Sequence, residues 1–413
     1  MKKNFLLIEH GGLRKKFTLE KLQEKGLNIF LATTDLPLWL KGLIPKINVI
    51  KTDTYHSTKL LSDVITFSEA RNIKFDALGT FYEHTVTQAA DLASALKLIG
   101  LNPGAARRSS SNKLLMRRTC RDNSIPTPKL TVISNYDKKQ LLQAVKKIGT
   151  PCVIKPIFGA ESYGTIKIED GFNIVDILDE IKLTTAQDQK ETFKNFTGNF
   201  LVEEYLPGKV VSVDGIVQNL KIFIAGMVEF IMGPEPRFAQ EANFIPPTGL
   251  SGKEINDCIL MAKRIIKALE FDNCGFHCEL RLTPNGPVLL EIAARLPGGP
   301  LQPGYLNAYG IDLTSLLIDV WLGKKIKVDR SKKLYIMQKA FFPRKSGKLT
   351  QLRGINSLKK DPGVWEFAKI AKIGDEIKEH GTPLYYYAIK DLSKRSLLEK
   401  SKKIEENIQF LIE

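Results

Sequence analysis

Long apolar runs, paired cysteines and the common glycine-rich nucleotide motifs are all missing from this 413-residue sequence. The apolar run at residues 5–8 ends at Glu9 and His10, too early for a signal peptide, and no stretch approaches the length of a membrane span. The five cysteines lack zinc-like spacing and, being odd in number, cannot all form disulfides. We therefore expect a cytoplasmic protein with reduced thiols and no membrane segment.

Two further absences concern nucleotide binding and architecture. The sequence has neither a G-x-G-x-x-G loop nor a G-x-x-x-x-G-K-[ST] loop, so a nucleotide would have to be held in another way. It also has no internal repeat. A hydrophobic content of 43% and a charged content of 26% are ordinary for a globular chain, and the length allows two to four packed units.

The net charge of +16 could indicate a nucleic-acid partner, a membrane surface or anionic substrates. The lysines are scattered, and the main basic cluster, at residues 107–121, has no interleaved aromatic residues of the kind that stack on bases. We therefore expect anionic small molecules and no nucleic acid. A solvated helix face is the alternative explanation of the cluster.

Two glutamates carry the strongest functional signal. Glu279 and Glu291 lie in apolar, strand-like runs joined by the turn Pro284-Asn285-Gly286, so a hairpin would bring them together. A carboxylate in such a run is costly unless it is paired or bound to a cation, and hard oxygen ligands suit Mg²⁺. The pair predicts a magnesium nucleotide site. A hairpin whose acids only face water is the alternative.

The residues around this pair extend the pattern. Arg295 precedes a turn in which Gly298 and Gly299 can present backbone NH groups to an anion, and its guanidinium can hold a phosphoryl or carboxylate group. His277 we assign to the opposite strand face from Glu279, and hence to the core rather than to a ligand set.

An α/β pattern precedes the acid pair. Strands and helices alternate up to about residue 105, which predicts an open parallel sheet. Lys155 then lies on the buried strand Cys152–Pro156, followed by a glycine loop at 159–164 that can fold over phosphates. The segment 201–208 joins two units, so its backbone can line a crevice between them.

In chain order these pieces resemble the ATP-grasp superfamily, in which two α/β units grip ATP. Residues 112–117 resemble its first lysine element, 153–156 its second, 159–164 its phosphate loop and 202–206 its adenine-binding linker. The string EIAARLPGG at 291–299 is similar to the L-amino acid ligase and carnosine synthase branch. The resemblance covers roughly residues 75–323.

The resemblance implies an α/β protein with the ATP-grasp fold of two α+β lobes. A Rossmann-like pre-ATP-grasp domain would span 1–110, and the ATP-grasp domain 111–330, with a small lid at about 125–203. A C-terminal α+β subdomain would span 331–413.

The resemblance also implies roles for individual residues. ATP phosphates would contact two lysines and the glycine loop, through Lys113, Lys155, Ser162 and Gly164. Adenine would be bound, largely through backbone, by Glu203, Glu204 and Leu206. Glu279 and Glu291 would hold Mg²⁺, for which Mn²⁺ can substitute. Arg295, with Gly298 and Gly299, would stabilise the transferred phosphoryl group or the oxyanion. Glu241 is the candidate base for the amine.

Two positions depart from the superfamily pattern. Ala293 stands where many members have asparagine, which leaves the number of metal ions open, and Val210 stands where an acid is common, which puts the ribose contact in doubt.

The activity implied is that of a carboxylate-amine ligase. ATP would phosphorylate a small-molecule carboxylate, an amine would attack the acyl phosphate, and ADP and phosphate would leave. The alternatives are a biotin-carboxylase-like enzyme that activates bicarbonate and an ATP-binding regulatory protein without turnover. The sequence does not identify the two substrates. A homodimer is the general expectation for a soluble enzyme.

Overall fold

The computed structural model describes residues 2–159, 164–187, 197–233, 240–379 and 383–413. Among these residues, each helix is too short or too polar to cross a membrane. All five cysteines are buried and free.

The amino-terminal residues form a parallel sheet covered by helices. Its strands are β1 (Asn4–Ile8), β2 (Asn28–Thr33), β3 (Val49–Lys51) and β4 (Ala77–Gly79), which pair in the order β3-β2-β1-β4. The helices are α1 (Lys16–Glu24), α2 (Ser57–Ala70), α3 (Val86–Ala95) and α4 (Pro103–Arg107). Strand β1 is almost wholly buried, as its run of apolar residues requires in a sheet covered on both faces. The prediction of an open parallel sheet is confirmed.

A second, antiparallel sheet follows the helix α5 (Lys113–Asp122). Its strands are β5 (Leu130–Ser134), β6 (Cys152–Pro156), β7 (Ile166–Ile168) and β8 (Asn199–Glu204), which pair in the order β5-β8-β6-β7. The helices α6 (Lys138–Ile148) and α7 (Ile174–Gln187) accompany them. Leu141 of α6 and Ile154 of β6 belong to one apolar cluster, so one sheet face is covered by helix and the other is left for the cleft.

The largest sheet is antiparallel and has eight strands among the described residues. Five of them are β9 (Lys209–Gln218), β10 (Lys221–Met232), β11 (Gln240–Ile245), β12 (Cys274–Thr283) and β13 (Gly286–Ala293). Helix α8 (Gly252–Ala268) covers one face, and α9 (Leu301–Tyr309) and α10 (Leu313–Trp321) pack against the other. Strand β9 is therefore buried along nearly its whole length.

The last part of the chain continues this sheet. Three further strands, β14 (Tyr335–Phe341), β16 (Val364–Lys369) and β18 (Tyr385–Asp391), complete the order β13-β12-β9-β10-β11-β14-β18-β16. A small separate sheet contains β15 (Gly347–Arg353), β17 (Glu376–Ile377) and β19 (Gln409–Ile412), next to α11 (Lys394–Asn407). Part of the segment 331–413 thus shares a sheet with the central strands, and the predicted domain boundaries stay predictions.

The amino-terminal unit packs directly on the central unit. Trp321 at the end of α10 stacks obliquely on Phe5 and edge-on to Phe81, with ring centroids 6.0 and 5.3 Å apart. A Cβ at Gly79 would collide with the Trp321 ring, so only glycine allows this approach. The contact fixes the end of β4, and with it Glu83, against the central sheet.

Candidate active site

The two predicted metal ligands face each other across the hairpin β12–β13. Glu279 is the direct register partner of Glu291, and a register shift follows immediately at Leu280. Both side chains are about one-third exposed and line the same cleft. The prediction that the turn at 284–286 brings the two acids together is confirmed, whereas their role as metal ligands stays a prediction.

His277 lies on the same strand face as Glu279, so our assignment of it to the opposite face was wrong. Residues two apart on a strand point to the same side. His277 Nε2 is 2.9 Å from Glu279 Oε1, and Nδ1 is 2.6 Å from Asp214 Oδ1. The His277 ring is thus a neighbour of the acid pair. The two-residue period of a strand, applied correctly, would have identified it.

The pKa values of the two acids move in opposite directions. Burial alone would raise the pKa of Glu279, but the hydrogen bond and charge of His277 outweigh burial and lower it. Burial and the neighbouring Glu279 raise the pKa of Glu291, with Lys113 opposing the rise. A cation between them would relieve the repulsion that Glu291 meets here.

Lys113 begins α5 and reaches the acid pair from the opposite wall of the cleft. The Asn112 side chain caps the helix by accepting from the Leu115 NH, which fixes the first turn. Lys113 Nζ then donates to the Gly159 carbonyl at 2.6 Å and lies 3.5 Å from Glu291 Oε2. The lysine therefore connects the glycine loop with a predicted metal ligand.

Lys155, on β6, belongs to a buried ionic cluster. Its Nζ lies 2.7 Å from Glu203 on β8, and Arg117 of α5 donates to the same carboxylate through Nε at 2.7 Å and Nη2 at 3.1 Å. The predicted adenine contact of Glu203 is largely through its backbone and stays a prediction. Its side chain is the counter-ion of two buried cations, a role that the sequence did not indicate.

This ionic cluster predicts that the free energy of unfolding depends on pH. Burial would raise the pKa of Glu203, but Arg117 and Lys155 lower it to about 2 from its usual 4.5. A group with a lowered folded pKa stabilises the protein above its unfolded pKa, and the contribution disappears as the pH falls through the folded value. At neutral pH the ionised carboxylate should contribute about 3 kcal/mol.

We therefore expect Glu203→Gln to lower the free energy of unfolding most above pH 4.5, with a difference from the parent that shrinks towards pH 2. Urea denaturation of both proteins at pH 7, 5 and 3 measures this difference. A difference of the same size at all three pH values would contradict the ionic role of Glu203.

The predicted adenine linker also lines the cleft. The NH groups of Glu204 and Tyr205 donate to the carbonyls of Lys129 and Pro151 at 3.0 and 3.2 Å, which anchors the segment beside the starts of β5 and β6. Glu204 and Leu206 both border the cleft. Adenine binding by these residues stays a prediction.

Arg295 connects the acid pair to the amino-terminal unit. Its Nε forms an ion pair with Glu83, and Nη1 donates to the Leu296 carbonyl at 2.8 Å. Burial would raise the pKa of Glu83, but Arg295 and a hydrogen bond from Ser110 lower it, so this carboxylate is held ionised. Glu83 is a site neighbour more than two hundred residues away in sequence, which no local motif could identify.

The turn after Arg295 leads into α9. Gly299 has a φ of 53°, a backbone conformation that favours glycine, and Gly298 is partly exposed. Gly164, at the end of the phosphate loop, has a φ of 70°. Ser162 lies outside the described residues. The phosphate contacts predicted for these positions stay predictions.

Glu241 has a specific partner, which bears on its predicted role as a base. It lies on β11 next to Gln240, which lines the cleft, and its carboxylate is 2.7 Å from Arg344 Nη2. The prediction of Glu241 as the base stays untested.

The cleft as a whole has both kinds of lining that a nucleoside triphosphate needs. Its apolar side chains suit a base, and its lysines and acids suit phosphates with a divalent cation. The apolar residues include Val153, Leu206, Val210, Met232 and Leu290, and the charged ones are Lys113, Lys155, Glu203, Glu204, Glu279, Arg281 and Glu291. The donor set therefore fits Mg-ATP.

Residues 148–302 match the family model of the ATP-grasp domain, and the predicted ATP-grasp α/β fold is confirmed. The crystal structure of an L-amino acid ligase from Bacillus licheniformis superposes with a TM-score of 0.79 at 16% identity, covering 100% of this chain and 99% of that one.

Two sequence relatives carry the names of ligases. Alanine–anticapsin ligase of Bacillus subtilis (strain 168) is 28% identical over 268 residues, which cover 59% of this chain and 53% of the relative. Carnosine synthase 1 of Mus musculus is 26% identical over 324 residues, covering 75% and 38%. The chain thus spans about half or less of the length of these relatives, and the predicted similarity to this branch is confirmed.

Proposed function

We propose that this chain is an ATP-dependent ligase that joins a carboxylate to an amine. The observation that carries the proposal is the meeting of Glu279, Glu291 and Lys113 in a cleft that is also lined by apolar side chains. The ligase names of the relatives support the same reaction class. Amino acids are the proposed substrates, because the relatives act on alanine and form carnosine by name.

The reaction would proceed in two displacements. An oxygen of the substrate carboxylate attacks the γ-phosphorus of ATP, and the bond to ADP breaks. The amine nitrogen then attacks the acyl carbon, phosphate leaves with the electron pair of the C–O bond, and the nitrogen loses a proton. Mg²⁺, when bound by Glu279 and Glu291, supplies charge neutralisation at the phosphates.

The residues of the chain contribute position and charge. Lys113 and Lys155 bind the phosphates from the wall opposite the acids. Arg295, fixed by Glu83, offers its remaining donors to the carboxylate or the phosphoryl group. Fixed charges of this kind stabilise developing negative charge without reorganisation, which is the main catalytic term expected for acyl phosphate formation.

The test is phosphate release by the purified protein with Mg-ATP. We expect release only when an amino acid or a similar carboxylate is added, and a product whose mass equals that of the two substrates less one water. A screen over pairs of amino acids, with mass detection, identifies the substrates. Phosphate release with no amide product would favour bicarbonate activation, and nucleotide binding with no release would favour a regulatory protein.

A further inference from the structure

Two rows of side chains cross the central sheet on the cleft side. In the ladder β9-β12-β13, His277 lies between Asp214 and Ala293, and Glu279 lies between Ser212 and Glu291. The rows are two residues apart on each strand, so all six side chains project from one face. The acid pair is therefore next to a polar row that the proposed reaction does not use.

A continuous set of hydrogen bonds runs from the interior to Glu279. The Tyr305 hydroxyl on α9 donates to Asp214 Oδ2 at 2.6 Å, and Ser212 donates to the same oxygen at 2.9 Å. Asp214 Oδ1 is 2.6 Å from His277 Nδ1, and His277 Nε2 is 2.9 Å from Glu279 Oε1. Since both ring nitrogens face carboxylates, both donate.

Burial increases along this chain away from the cleft. Glu279 is 31% exposed and the His277 side chain 10%, whereas Asp214 and Tyr305 are wholly buried. The chain of hydrogen bonds ends at Glu279 Oε1, and Glu279 lines the cleft. Ala293, on the far side of His277, has no side-chain polar atom that could compete for the ring.

We infer that Tyr305, Asp214 and His277 are positioning residues that fix the Glu279 carboxylate for a divalent cation. The inference rests on the proposed function, in which Glu279 is a metal ligand. A carboxylate held through one oxygen cannot rotate away from the cleft, so less conformational freedom is lost when the cation binds. Residues that orient metal ligands in this way commonly affect metal affinity 10- to 100-fold.

Mn²⁺ binding without nucleotide, followed by electron paramagnetic resonance of the free ion, tests the inference. Tyr305→Phe removes one donor to Asp214 and keeps the packed ring, and we expect it to weaken Mn²⁺ binding severalfold. Asp214→Asn removes the anion that holds His277, and we expect roughly a tenfold loss or more. If Asp214→Asn acted only by removing the positive charge of the His277 ring, Mn²⁺ would bind more tightly, because Glu279 would lose a competing cation.

Tyr387→Phe is the matched control. Its hydroxyl is also buried and is also bonded to a carboxylate, Glu405, at 2.8 Å, but it lies in the carboxy-terminal core. We expect this variant to bind Mn²⁺ as the parent does. Equal Mn²⁺ affinity in the Tyr305 and Tyr387 variants, or tighter binding by the Asp214 variant, would overturn the inference, and the Tyr305 variant decides the matter if Asp214→Asn does not fold.

A second comparison separates this inference from the metal assignment itself. If Glu279→Gln leaves Mn²⁺ binding unchanged, the metal site of the proposed function is wrong. If Glu279→Gln weakens binding and Tyr305→Phe does not, only the positioning chain is wrong. In the Glu279→Gln background, Tyr305→Phe should have no further effect on affinity, because a residue that acts through Glu279 cannot add to its loss.

Discussion

Glutamine in place of Glu291 is expected to reduce amino-acid-dependent phosphate release by about a thousandfold or more, the scale of loss that follows removal of a charge-stabilising group. Glutamine keeps the size of the side chain but has no charge for a cation. The change also takes the anionic neighbour away from Lys113, whose Nζ is 3.5 Å from Glu291 Oε2.

The measurement is a coupled phosphate assay at saturating ATP and amino acid, with Mn²⁺ binding as a second readout. Glu229→Gln is the matched control, since Glu229 is buried in the same sheet and its carboxylate accepts from the NH groups of Thr248 and Gly249. We expect the control to release phosphate within a few-fold of the parent rate. Release by Glu291→Gln at the parent rate would refute the metal assignment.

The acid hairpin was predictable because the signal is local. A turn of Pro284-Asn285-Gly286 between two apolar runs fixes which residues can pair, and the ladder places Glu279 opposite Glu291. Helix α6 (Lys138–Ile148) is encoded equally locally, since periodicity and a cap at Asp137 define it within a short window.

Elements that depend on tertiary contacts are less predictable from sequence. Leu397, Ile404 and Leu411 stand at heptad spacing, a pattern that favours a helix near 393–412. The helix ends at Asn407, and Leu411 lies on β19, where it pairs with Gln351 of β15. Sheet pairing with a distant strand overrides the helical pattern there, and a heptad pattern contains no information about that partner.

The charged neighbours of the site were missed for the same reason. Arg117 belongs to a cluster that the sequence presents only as a basic stretch, and its partner Glu203 lies 86 residues further on. Glu83 and Arg295 come from different units. A single sequence specifies that such charges exist, whereas their pairing follows from how the units pack.

Arg117→Met is expected to lower the free energy of unfolding by about 3–5 kcal/mol, as is common when one partner of a buried ion pair is removed. Arg117 is 1% exposed and donates to Glu203 and to the carbonyls of Leu289 and Leu290, each at 2.7 Å. It therefore joins α5 to the strands β8 and β13. Methionine fills part of the volume but leaves two carbonyls and half of a carboxylate without donors.

Arg118→Met is the matched control, because it makes the same chemical change at the next residue, which is exposed. We expect it to change stability by less than about 0.5 kcal/mol. Urea denaturation followed by circular dichroism compares the two variants at neutral pH. Equal denaturation midpoints would contradict the structural role of Arg117.

In the Arg117→Met protein, Lys155 keeps its ion pair with Glu203 but Glu203 no longer has Arg117 as a partner. Because we propose that Lys155 binds the ATP phosphates, the affinity for ATP should fall even at temperatures where the variant stays folded.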